Sequence, residues 1–352
     1  MNEEIEIYCN SNKWSSISSS ISENDAFFSS KYIDINRNII EGDSECFIYN
    51  DKKTDSVVLY PYIKRRIESE NLYDIISPYG FGGFITKGCK NTDHEGLICK
   101  FHKEFHAYCV ETGIVSEFIR FHPFYNNHLL ANKSSMKISL SQEVVYTDFT
   151  TSHYDINTIS SKEVRKKIRK AQRNNIDIIY DRSGEYFDDF IRIYYKTMKS
   201  KCAGEFYYFD KDFFKSIQDL FPNNYLLLVA IYEEKVIGGL LILFGDKYSY
   251  NFLSCSEQEY RSLGTNDFLQ YCAILWSYEN GKKRHMLGGG LKKEDSLFQY
   301  KAKFSPERKD FYTGQCIHLP DIYNDLSAQR MEQKNIPYSD FYNQSWFPLY
   351  RS

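Results

Sequence analysis

Three apolar segments followed by a turn and a helix constrain the fold of this chain more than any other feature. The segments "YLLLVAIY", "VIGGLLILF" and "KYSYNFLSC" lie within residues 225–255 and are separated by the short turns "EEK" and "GD". Their β-branched and aromatic residues predict three consecutive antiparallel strands. The last strand leads into "RSLGTN" (261–266) and then into a segment in which Phe268, Cys272 and Trp276 have helical spacing. This order predicts an α/β unit.

The turn "RSLGTN" has two interpretations. A helix N-terminus exposes unpaired N–H groups and the positive end of the helix dipole, so a glycine turn before it can hold a phosphate, and Arg261 can add charge. The same residues also suit a plain capping turn, with Thr265 or Asn266 as N-cap and the arginine in solvent. Six residues alone do not decide between these interpretations.

Composition limits the classes of partner. A length of 352 residues favours two domains, and a net charge of −3 argues against DNA and other large polyanions as partners. The chain has 30 tyrosines and 26 phenylalanines, which predict aromatic walls suited to a polar organic ligand. Nine cysteines without a CxxC pair predict reduced thiols and no metal site. The acidic start "MNEEIEIYCN" and the lack of a long apolar run predict a cytoplasmic protein without a membrane span.

The first half of the chain has an α/β pattern. We expect a loop over 11–30 that leads into a helix near 25–32, a strand hairpin, a glycine loop, a helix, a strand and a strand pair. The segments that carry the later predictions are 46–50 and 56–67, 73–86, 91–112, 114–124 and 136–150.

A second module is predicted to begin near Ser160. Ser160 and Glu163 have capping-box spacing, and the helix that follows has seven basic residues between Lys162 and Arg173. That basic face suits either an RNA contact or plain solvent exposure. Helices over 186–199 and up to residue 220 precede the three strands, and a short helix carries Lys301. The tail from 317 has no strong period and is expected to pack back on a domain.

Four ordered blocks resemble the Fem-type family of tandem-GNAT acyltransferases. They are "SKEVRKKIRKAQRNNIDI", "IYYKTMKSKCAGEFYYFDKDFF", "RSLGTNDFLQYCAILWS" and "HMLGGGLKKEDSLFQYKAKF". The resemblance implies an α/β (α+β) fold with two GNAT-like domains, each a mixed, largely antiparallel sheet flanked by helices, and a cleft between them. It places the acceptor domain at 1–150 plus the tail 317–352, and the acyl-donor domain at 151–316.

The resemblance implies that this turn binds the pyrophosphate of acyl-CoA, which is the co-substrate. The GNAT pattern is Gln or Arg, two residues, Gly, one residue, then Gly or Ala, and Arg261, Gly264 and Asn266 occupy those places. Asn266 departs from the pattern because it carries a side chain. The predicted donor-binding residues are Arg261, Ser262, Leu263, Gly264, Thr265 and Asn266.

Two branches of this family predict different reactions. One moves an acyl group from acyl-CoA to the amino group of a nucleotide-linked amino sugar, such as a dTDP-4-amino-4,6-dideoxyhexose, as the N-acyltransferase of the anthrose pathway does. The alternative is an aminoacyl-tRNA-dependent peptidyltransferase that builds peptidoglycan cross-bridges. No extended helical hairpin is evident for holding tRNA, and the net charge is acidic, so we favour acyl-CoA and an amino sugar.

Catalytic groups are predicted from the same blocks. Tyr300 and Lys301 match the aromatic residue and lysine that the family places near the reacting centre, so Lys301 is predicted to stabilise the oxyanion or the leaving group; a solvated surface lysine is the alternative. The predicted general bases are His122, Asp295 and the pair Asp93 and His94. The departing CoA thiolate is a further proton acceptor.

Acceptor recognition is predicted on "YPYIKRRI", "SPYGFGGF" and the aromatic segment of the second module. Basic residues there could meet a diphosphate, and glycines allow close approach of backbone to a sugar or base. The alternative is that these residues are core strands and turns. The predicted residues are Lys64, Arg65, Tyr79, Gly82, Gly83, Asp93, Tyr207 and Tyr208.

Overall fold

The computed structural model describes residues 3–8, 11–22, 24–67, 71–88, 94–131, 135–150, 155, 160–292, 295–342 and 346–352. Its strands are β1 (Glu3–Tyr8), β2 (Asp43–Asp51), β3 (Ser56–Arg66), β4 (Tyr73–Ile76), β5 (Ile85–Lys87), β6 (Ile114–Arg120), β7 (Met136–Asp148), β8 (Asp177–Asp181), β9 (Tyr225–Tyr232), β10 (Lys235–Phe244), β11 (Tyr248–Ser256), β12 (Arg284–Gly288) and β13 (Arg308–Ile317).

The α-helices of the described residues are α1 (Ser11–Ser22), α2 (Ser30–Ile40), α3 (His94–Glu111), α4 (Lys162–Arg173), α5 (Phe187–Ser200), α6 (Lys211–Leu220), α7 (Thr265–Glu279), α8 (Ser296–Ala302), α9 (Pro320–Lys334) and α10 (Tyr338–Tyr342). Short 3₁₀ helices lie at Ala26–Phe28, Asn127–Leu130, Glu205–Tyr207, Gln258–Leu263 and Leu349–Arg351.

The chain divides into two compact units. Unit 1 comprises 1–22, 27–141 and 311–352, and unit 2 comprises 23–26 and 142–310. The sequence-based boundaries lie at 150 and 316 instead. The assignment of one domain to the acceptor and the other to the donor stays a prediction.

The sheet of unit 1 is mixed and has helices on both faces. Its strand order is β1-β2-β3-β4-β6-β13 with β5 beside β3, and only the β4–β6 pair is parallel among the pairs described. Side chains alternate along a strand, so Val58 and Tyr60 of β3 pack on α3 while Leu59 and Ile63 pack on α1 and α2. The sheet therefore has a core on each face.

Helix α1 contradicts the predicted loop over 11–30. Trp14 is fully buried, and Ile17 and Ile21 pack against the same cluster as Leu59. These three residues lie at helical spacing, and tertiary packing of that stripe outweighs the many serines, which have only modest helix propensity. The sequence therefore contains the helix signal, but its serines led us to expect a loop.

The sheet of unit 2 has the order β7-β12-β11-β10-β9-β8, and its central β9–β10–β11 strands are antiparallel as predicted. The β11–β12 pair is parallel, and its described pairing covers only Tyr248–Tyr250 against Arg284–Met286. Phe252 forms a bulge against β10, where the register shifts between Leu241 and Ile242. Residues 251–256 of β11 therefore extend beyond the paired part of β12.

Two predicted caps are wrong by one or two residues. Helix α4 is capped by Ser161, whose side chain accepts a hydrogen bond from the Val164 N–H, rather than by Ser160. Helix α7 is preceded by Gly264 in the left-handed region, and Thr265 is its first helical residue, so neither Thr265 nor Asn266 is the N-cap. The Thr265 hydroxyl instead donates to the Tyr260 carbonyl.

Two further differences concern longer elements. Residues 136–148 form the single strand β7 rather than a strand pair, because "SLSQE" has no glycine or proline to make a turn. The tail that shows no strong period contains the fifteen-residue helix α9. The fold class is confirmed as α/β with mixed, largely antiparallel sheets flanked by helices. Within the described residues, no helix is both long and apolar enough to cross a membrane.

Candidate functional site

Unit 2 contains a cavity of about 520 Å³. Its walls come from the C-terminal end of α5, the middle of β10, the end of β11, the first turns of α7, and the beginning of α8. This volume falls in the range of small-molecule and cofactor sites, roughly 300–1,000 Å³. The cavity is therefore large enough for a substantial part of a cofactor-sized ligand.

The strands explain one wall of the cavity. Ser254, Cys255 and Ser256 line it, and all three lie in the part of β11 that extends beyond its described pairing with β12. Backbone groups of a strand that lacks a neighbour can bind an extended ligand by strand addition. The end of the β11–β12 pairing therefore leaves space beside Ser254, whereas the Ser256 N–H and carbonyl already contact the Thr197 hydroxyl, at 3.3 and 3.4 Å.

Two cations line the cavity, Lys201 just after α5 and Arg261 just before α7. Neither forms an ion pair with a carboxylate of the described residues, and the Arg261 Nε donates a hydrogen bond to the Ser256 hydroxyl at 3.4 Å. Partial burial and, secondly, the charge of Arg261 lower the pKa of Lys201. An anion bound here would relieve this repulsion.

The turn before α7 contributes unequally to the cavity. Arg261 and Asn266 line it, whereas Ser262, Leu263, Gly264 and Thr265 are not among the lining residues. Gly264 is buried with φ +88°, and a Cβ there would lie 2.5 Å from the Lys167 carbonyl oxygen of α4. The glycine therefore permits close packing against α4, and Arg261 and Asn266 are the residues of the turn that a ligand in the cavity could reach.

Asp295 caps helix α8. One carboxylate oxygen accepts hydrogen bonds from the N–H groups of Leu291 (2.7 Å) and Lys292 (3.1 Å), and the other accepts from Phe298 (2.8 Å). The bond from Phe298 is the largest cause of the lowered pKa of Asp295. A carboxylate that accepts three backbone hydrogen bonds is a weak base, so the cap explains this residue better than the predicted proton transfer does.

The glycine run at the end of β12 holds Lys301 inside unit 2. The Lys301 Nζ donates to the Gly289 carbonyl oxygen at 2.8 Å. Burial, opposed by the charge of Asp295 and assisted by that of Lys201, lowers the pKa of Lys301 to about 8. Its neighbour Tyr300 lines the cavity. Lys301 is therefore a partly buried amine next to the cavity wall, with a pKa close to neutral pH.

A buried polar network adjoins the cavity and was not predicted. Gln270 lines the cavity and accepts a hydrogen bond from Asn251 Nδ2 at 2.6 Å. His285 Nε2 lies 3.0 Å from Asn251 Oδ1, and its Nδ1 lies 2.9 Å from the Ser249 hydroxyl. Burial lowers the pKa of His285 to about 3, so the ring is neutral. The sequence signal for this network is His285, a histidine within the short apolar strand β12.

His122 does not have the setting of a catalytic base. Its side chain is fully buried in unit 1, where the rings of Phe27, Phe81 and Tyr125 surround it. Its Nδ1 accepts a hydrogen bond from the Phe124 N–H at 3.2 Å, and burial lowers the pKa to about 3. The aromatic enclosure leaves a substrate amine no access to this ring.

Lys64 and Arg65 are already paired. Lys64 Nζ lies 3.4 Å from Glu45 Oε1 and 4.4 Å from the centre of the Tyr73 ring. Arg65 Nε lies 2.6 Å from Asp74 Oδ1, and both side chains are largely buried. These partners neutralise the charges that were predicted to meet a diphosphate.

The glycine loop of unit 1 is packed rather than open. Gly82 and Gly83 are buried, and a Cβ on Gly83, where φ is +95°, would lie 2.8 Å from Asn127 Nδ2. The Gly82 N–H donates to the Arg120 carbonyl at 2.8 Å. The Tyr79 backbone is tied to α2, because its N–H donates to Asn36 Oδ1 at 2.9 Å. These glycines serve the close packing of unit 1.

The remaining predicted acceptor residues do not line the cavity. Tyr207 and Tyr208 lie at the 3₁₀ helix after α5, where the Tyr207 carbonyl accepts from the Tyr194 hydroxyl and Tyr208 is exposed. Asp93 lies outside the described residues, as does the side chain of His94. Lys201 was quoted within a family block but not predicted as a site residue, because nothing distinguishes it from nearby lysines in the sequence.

Comparison with known proteins identifies the class. Residues 160–302 match the family model described as acetyltransferase (GNAT) domain. The matched segment contains all of the residues that line the cavity, from Thr197 to Tyr300. The chain thus carries a GNAT acetyltransferase domain and is an enzyme of the N-acyltransferase class. None of the curated proteins compared with the chain matches its sequence.

Solved structures extend the likeness over most of the chain. The crystal structure of FemX has a TM-score of 0.68 at 11% identity and covers 92% of this chain and 99% of its own. A conserved protein of unknown function from Bacteroides thetaiotaomicron VPI-5482 has a TM-score of 0.59 at 8% identity, covering 89% and 100%. L-PGS from Bacillus licheniformis has a TM-score of 0.56 at 12% identity, covering 86% and 90%. At these identities the likeness shows the fold, so the predicted similarity to Fem-type folds is confirmed at that level.

Proposed function

We propose that this enzyme transfers an acyl group from acyl-CoA to a primary amine, with the donor bound in the cavity of unit 2. The observation that carries the proposal is the pair of cations, Lys201 and Arg261, that line this cavity without a carboxylate partner among the described residues. The first N–H groups of α7 have no intrahelical acceptor and lie next to them. Cations and a helix N-terminus together favour a phosphate.

The rest of the donor fits the same walls. The Ser256 N–H and carbonyl contact the Thr197 hydroxyl, so we propose that the backbone of Ser254, two residues earlier on the same edge of β11, pairs with the amide-containing arm of CoA as an added strand would. Gln270 lies on the wall, where the His285 network fixes its orientation. We propose that Arg261 and Asn266 contact the diphosphate and that Lys201 supplies a second charge.

The proposed reaction is direct transfer. The neutral amine of the acceptor attacks the thioester carbon, a C–N bond forms, and the C–S bond breaks to release CoA thiolate. The proton lost by the amine goes to that thiolate, directly or through water, so no protein base is required. We propose that the Lys301 ammonium stabilises the negative charge that develops on oxygen or sulfur. Its bond to the Gly289 carbonyl holds the charge in place.

For the acceptor we propose an amino sugar carried on a nucleotide. The acidic net charge, and the lack in the sequence of an extended helical pattern for holding tRNA, support this choice over a polyanionic substrate. Because Lys64 and Arg65 are paired with carboxylates, we no longer assign the diphosphate of the acceptor to them.

One observation favours transfer from aminoacyl-tRNA instead. Helix α4 exposes five basic side chains on its outer face, and some of them line a shallow depression near its end. The exposed basic residues are Lys162, Lys166, Arg169, Lys170 and Arg173. Phosphate contacts of this kind make binding strongly dependent on salt.

The experiment compares donors on the full chain. With acetyl-CoA and a panel of nucleotide-linked amino sugars, we expect thiol release, followed with a chromogenic reagent, in step with the loss of the amine. The Arg261→Ala variant should have a higher KM for acetyl-CoA. Lys199 is an exposed lysine two residues from Lys201, and Lys199→Ala should keep the KM of the wild type. Transfer from charged tRNA alone, abolished by Arg169→Ala with Arg173→Ala and by moderate salt, would contradict the acyl-CoA proposal.

A further inference from the structure

Three potential metal ligands converge inside unit 1, whereas the residues that line the proposed donor cavity belong to unit 2. Glu117 of β6 and Cys316 of β13 are direct cross-strand partners in an antiparallel pair. His318 follows two residues after Cys316, and its N–H continues the pairing by donating to the Val115 carbonyl at 2.9 Å. Directly opposed residues, and residues two apart on a strand, lie on the same face of a sheet. The register alone therefore places these three side chains together.

The donor atoms meet closely and are buried. One carboxylate oxygen of Glu117, the Cys316 sulfur and a His318 ring nitrogen all lie within 4.8 Å of one another, and all three residues are buried. Nε2 of His318 lies 3.4 Å from Oε1 of Glu117. Zinc bonds of roughly 2.0–2.3 Å at tetrahedral angles separate ligand atoms by about 3.3–3.8 Å. The His318–Glu117 distance already fits such a site.

An unsatisfied atom provides a second, independent observation. His318 Nε2 has no hydrogen-bond partner among the described residues, although the side chain is only 3% exposed. Buried polar atoms without a partner are rare, because such an atom has lost its hydrogen bond to water. The 3.4 Å contact with Glu117 lacks hydrogen-bond geometry. A metal ion would give this nitrogen the partner it lacks.

The surrounding contacts orient the ligand atoms. The other ring nitrogen of His318, Nδ1, lies 3.0 Å from Nδ1 of His106. The other carboxylate oxygen of Glu117 accepts a hydrogen bond from the Tyr60 hydroxyl at 2.9 Å. Metal-binding histidines and carboxylates use their second atoms in this way, which fixes the tautomer and the ring orientation. Nε2 and Oε1 are thereby left to face the Cys316 sulfur.

We propose that Glu117, Cys316 and His318 form a binding site for a divalent transition metal of the zinc type. A set of one oxygen, one nitrogen and one sulfur suits zinc, and three protein ligands leave the fourth tetrahedral position to water. Binding exchanges the thiol proton of Cys316 for the metal and releases that proton to solvent. The absence of CxxC pairs predicts no metal site, but Cys-x-His with a glutamate on another strand has no spacing signature in the sequence.

The ligands are buried, so the site is expected to be filled during folding. The test therefore refolds the full chain with and without one equivalent of Zn²⁺ or Co²⁺, removes free metal by gel filtration, and measures metal per chain and Tm. The variants are Cys316→Ala and His318→Ala. The matched control is Cys46→Ala, a buried cysteine of unit 1 outside the group.

We expect about one metal ion per chain in the wild type and in Cys46→Ala, a higher Tm with metal, and at least a tenfold loss of affinity in both ligand variants. The cobalt form should show a thiolate-to-metal absorption band that Cys316→Ala lacks. Where a variant does not fold, the stoichiometry and cobalt spectrum of the wild type decide. A wild type without stoichiometric metal or without the thiolate band, or equal binding by Cys316→Ala and Cys46→Ala, would overturn the proposal. None of these outcomes depends on acyl-CoA.

Discussion

Two pairs of basic residues differ in whether a carboxylate contacts them: Lys64 and Arg65 in unit 1, and Lys201 and Arg261 in unit 2. In unit 1 each cation contacts a buried carboxylate, at 3.4 Å from Lys64 to Glu45 and 2.6 Å from Arg65 to Asp74. In unit 2 both cations line a cavity and lack a carboxylate partner among the described residues. Residue type alone therefore does not identify an anion site.

The carboxylates of unit 1 each serve several donors. Asp74 also contacts Arg351. Glu45 accepts hydrogen bonds from the hydroxyls of Tyr62 at 3.1 Å and Tyr108 at 3.2 Å. A buried charge that is paired and hydrogen-bonded in this way is tolerated, but the loss of one partner leaves the rest uncompensated. These groups support the fold, whereas Lys201 and Arg261, which have no carboxylate partner among the described residues, are available for a ligand.

The largest expected effect is on stability and lies in unit 1. Asp74→Ala leaves Arg65 and Arg351 without their carboxylate, and we expect the free energy of unfolding in urea to fall by about 3–5 kcal/mol. The control Asp188→Ala removes a carboxylate that pairs with Lys211 at a site where the two side chains are 86% and 72% exposed. Asp188→Ala should lower the free energy of unfolding by at most about 1 kcal/mol. Similar losses for both variants would contradict a structural role for Asp74.

The next effect concerns Lys301 and catalysis. If its ammonium stabilises developing charge, Lys301→Met should lower kcat by about 10²–10³-fold, as the loss of one oxyanion donor does. Because burial lowers the pKa of Lys301 to about 8, the charged form is lost as pH rises through that value, so kcat of the wild type should fall there. Lys301→Arg should retain activity to higher pH.

A control for Lys301 lies two residues further along the chain. Lys303 pairs with Glu163 at 2.8 Å on the surface of unit 2. Lys303→Met should keep the kcat and the pH profile of the wild type. A rate that rises instead of falling through pH 8 in the wild type would indicate that the neutral Lys301 amine acts as a base.

A smaller effect tests the two cations of the cavity directly. Arg261→Ala and Lys201→Ala should each raise the KM for acetyl-CoA about tenfold, since each removes a charge-assisted contact of about 1.4 kcal/mol. Both side chains are at least partly exposed and support no buried carboxylate, so the Tm should change little. Lys199→Ala should leave this KM within about twofold. A donor KM unchanged in both cavity variants would remove the basis for placing the diphosphate there.

Much of the architecture could be predicted because it depends on local signals. The three strands β9, β10 and β11, helix α7 and the hairpin β2–β3 follow from period, β-branched residues and turn chemistry. Helices α1 and α9, which these signals do not predict, show their limit. Serine-rich or charged segments become helical when a few side chains, such as Trp14 or Tyr323, are buried by residues far away in sequence.

The candidate site was predictable only in part. Arg261 and Asn266 follow from the turn pattern, and both line the cavity. Lys201 reaches the cavity only through the packing of α5 on the sheet, and the Gln270–His285 network depends on the register of two separate elements. The pairing of Lys64 and Arg65 was not predictable either, because Glu45 and Asp74 lie on other strands. Partners across a sheet depend on register, which a single sequence does not state.

The smallest effect distinguishes packing from phosphate binding at Gly264. A Cβ there would meet the Lys167 carbonyl at 2.5 Å with φ at +88°, whereas a Cβ at Gly281, where φ is +69°, has no neighbour within 4 Å among the described residues. Gly281→Ala therefore introduces only backbone strain and should lower the free energy of unfolding by about 1 kcal/mol. Gly264→Ala adds the clash with the carbonyl and should lower it by about 1 kcal/mol more. Urea unfolding of both variants measures the difference. If Gly264 serves packing alone, its variant keeps a donor KM closer to wild type than Arg261→Ala does. A donor KM raised as much as in Arg261→Ala, without the extra loss of stability, would instead assign Gly264 to the diphosphate.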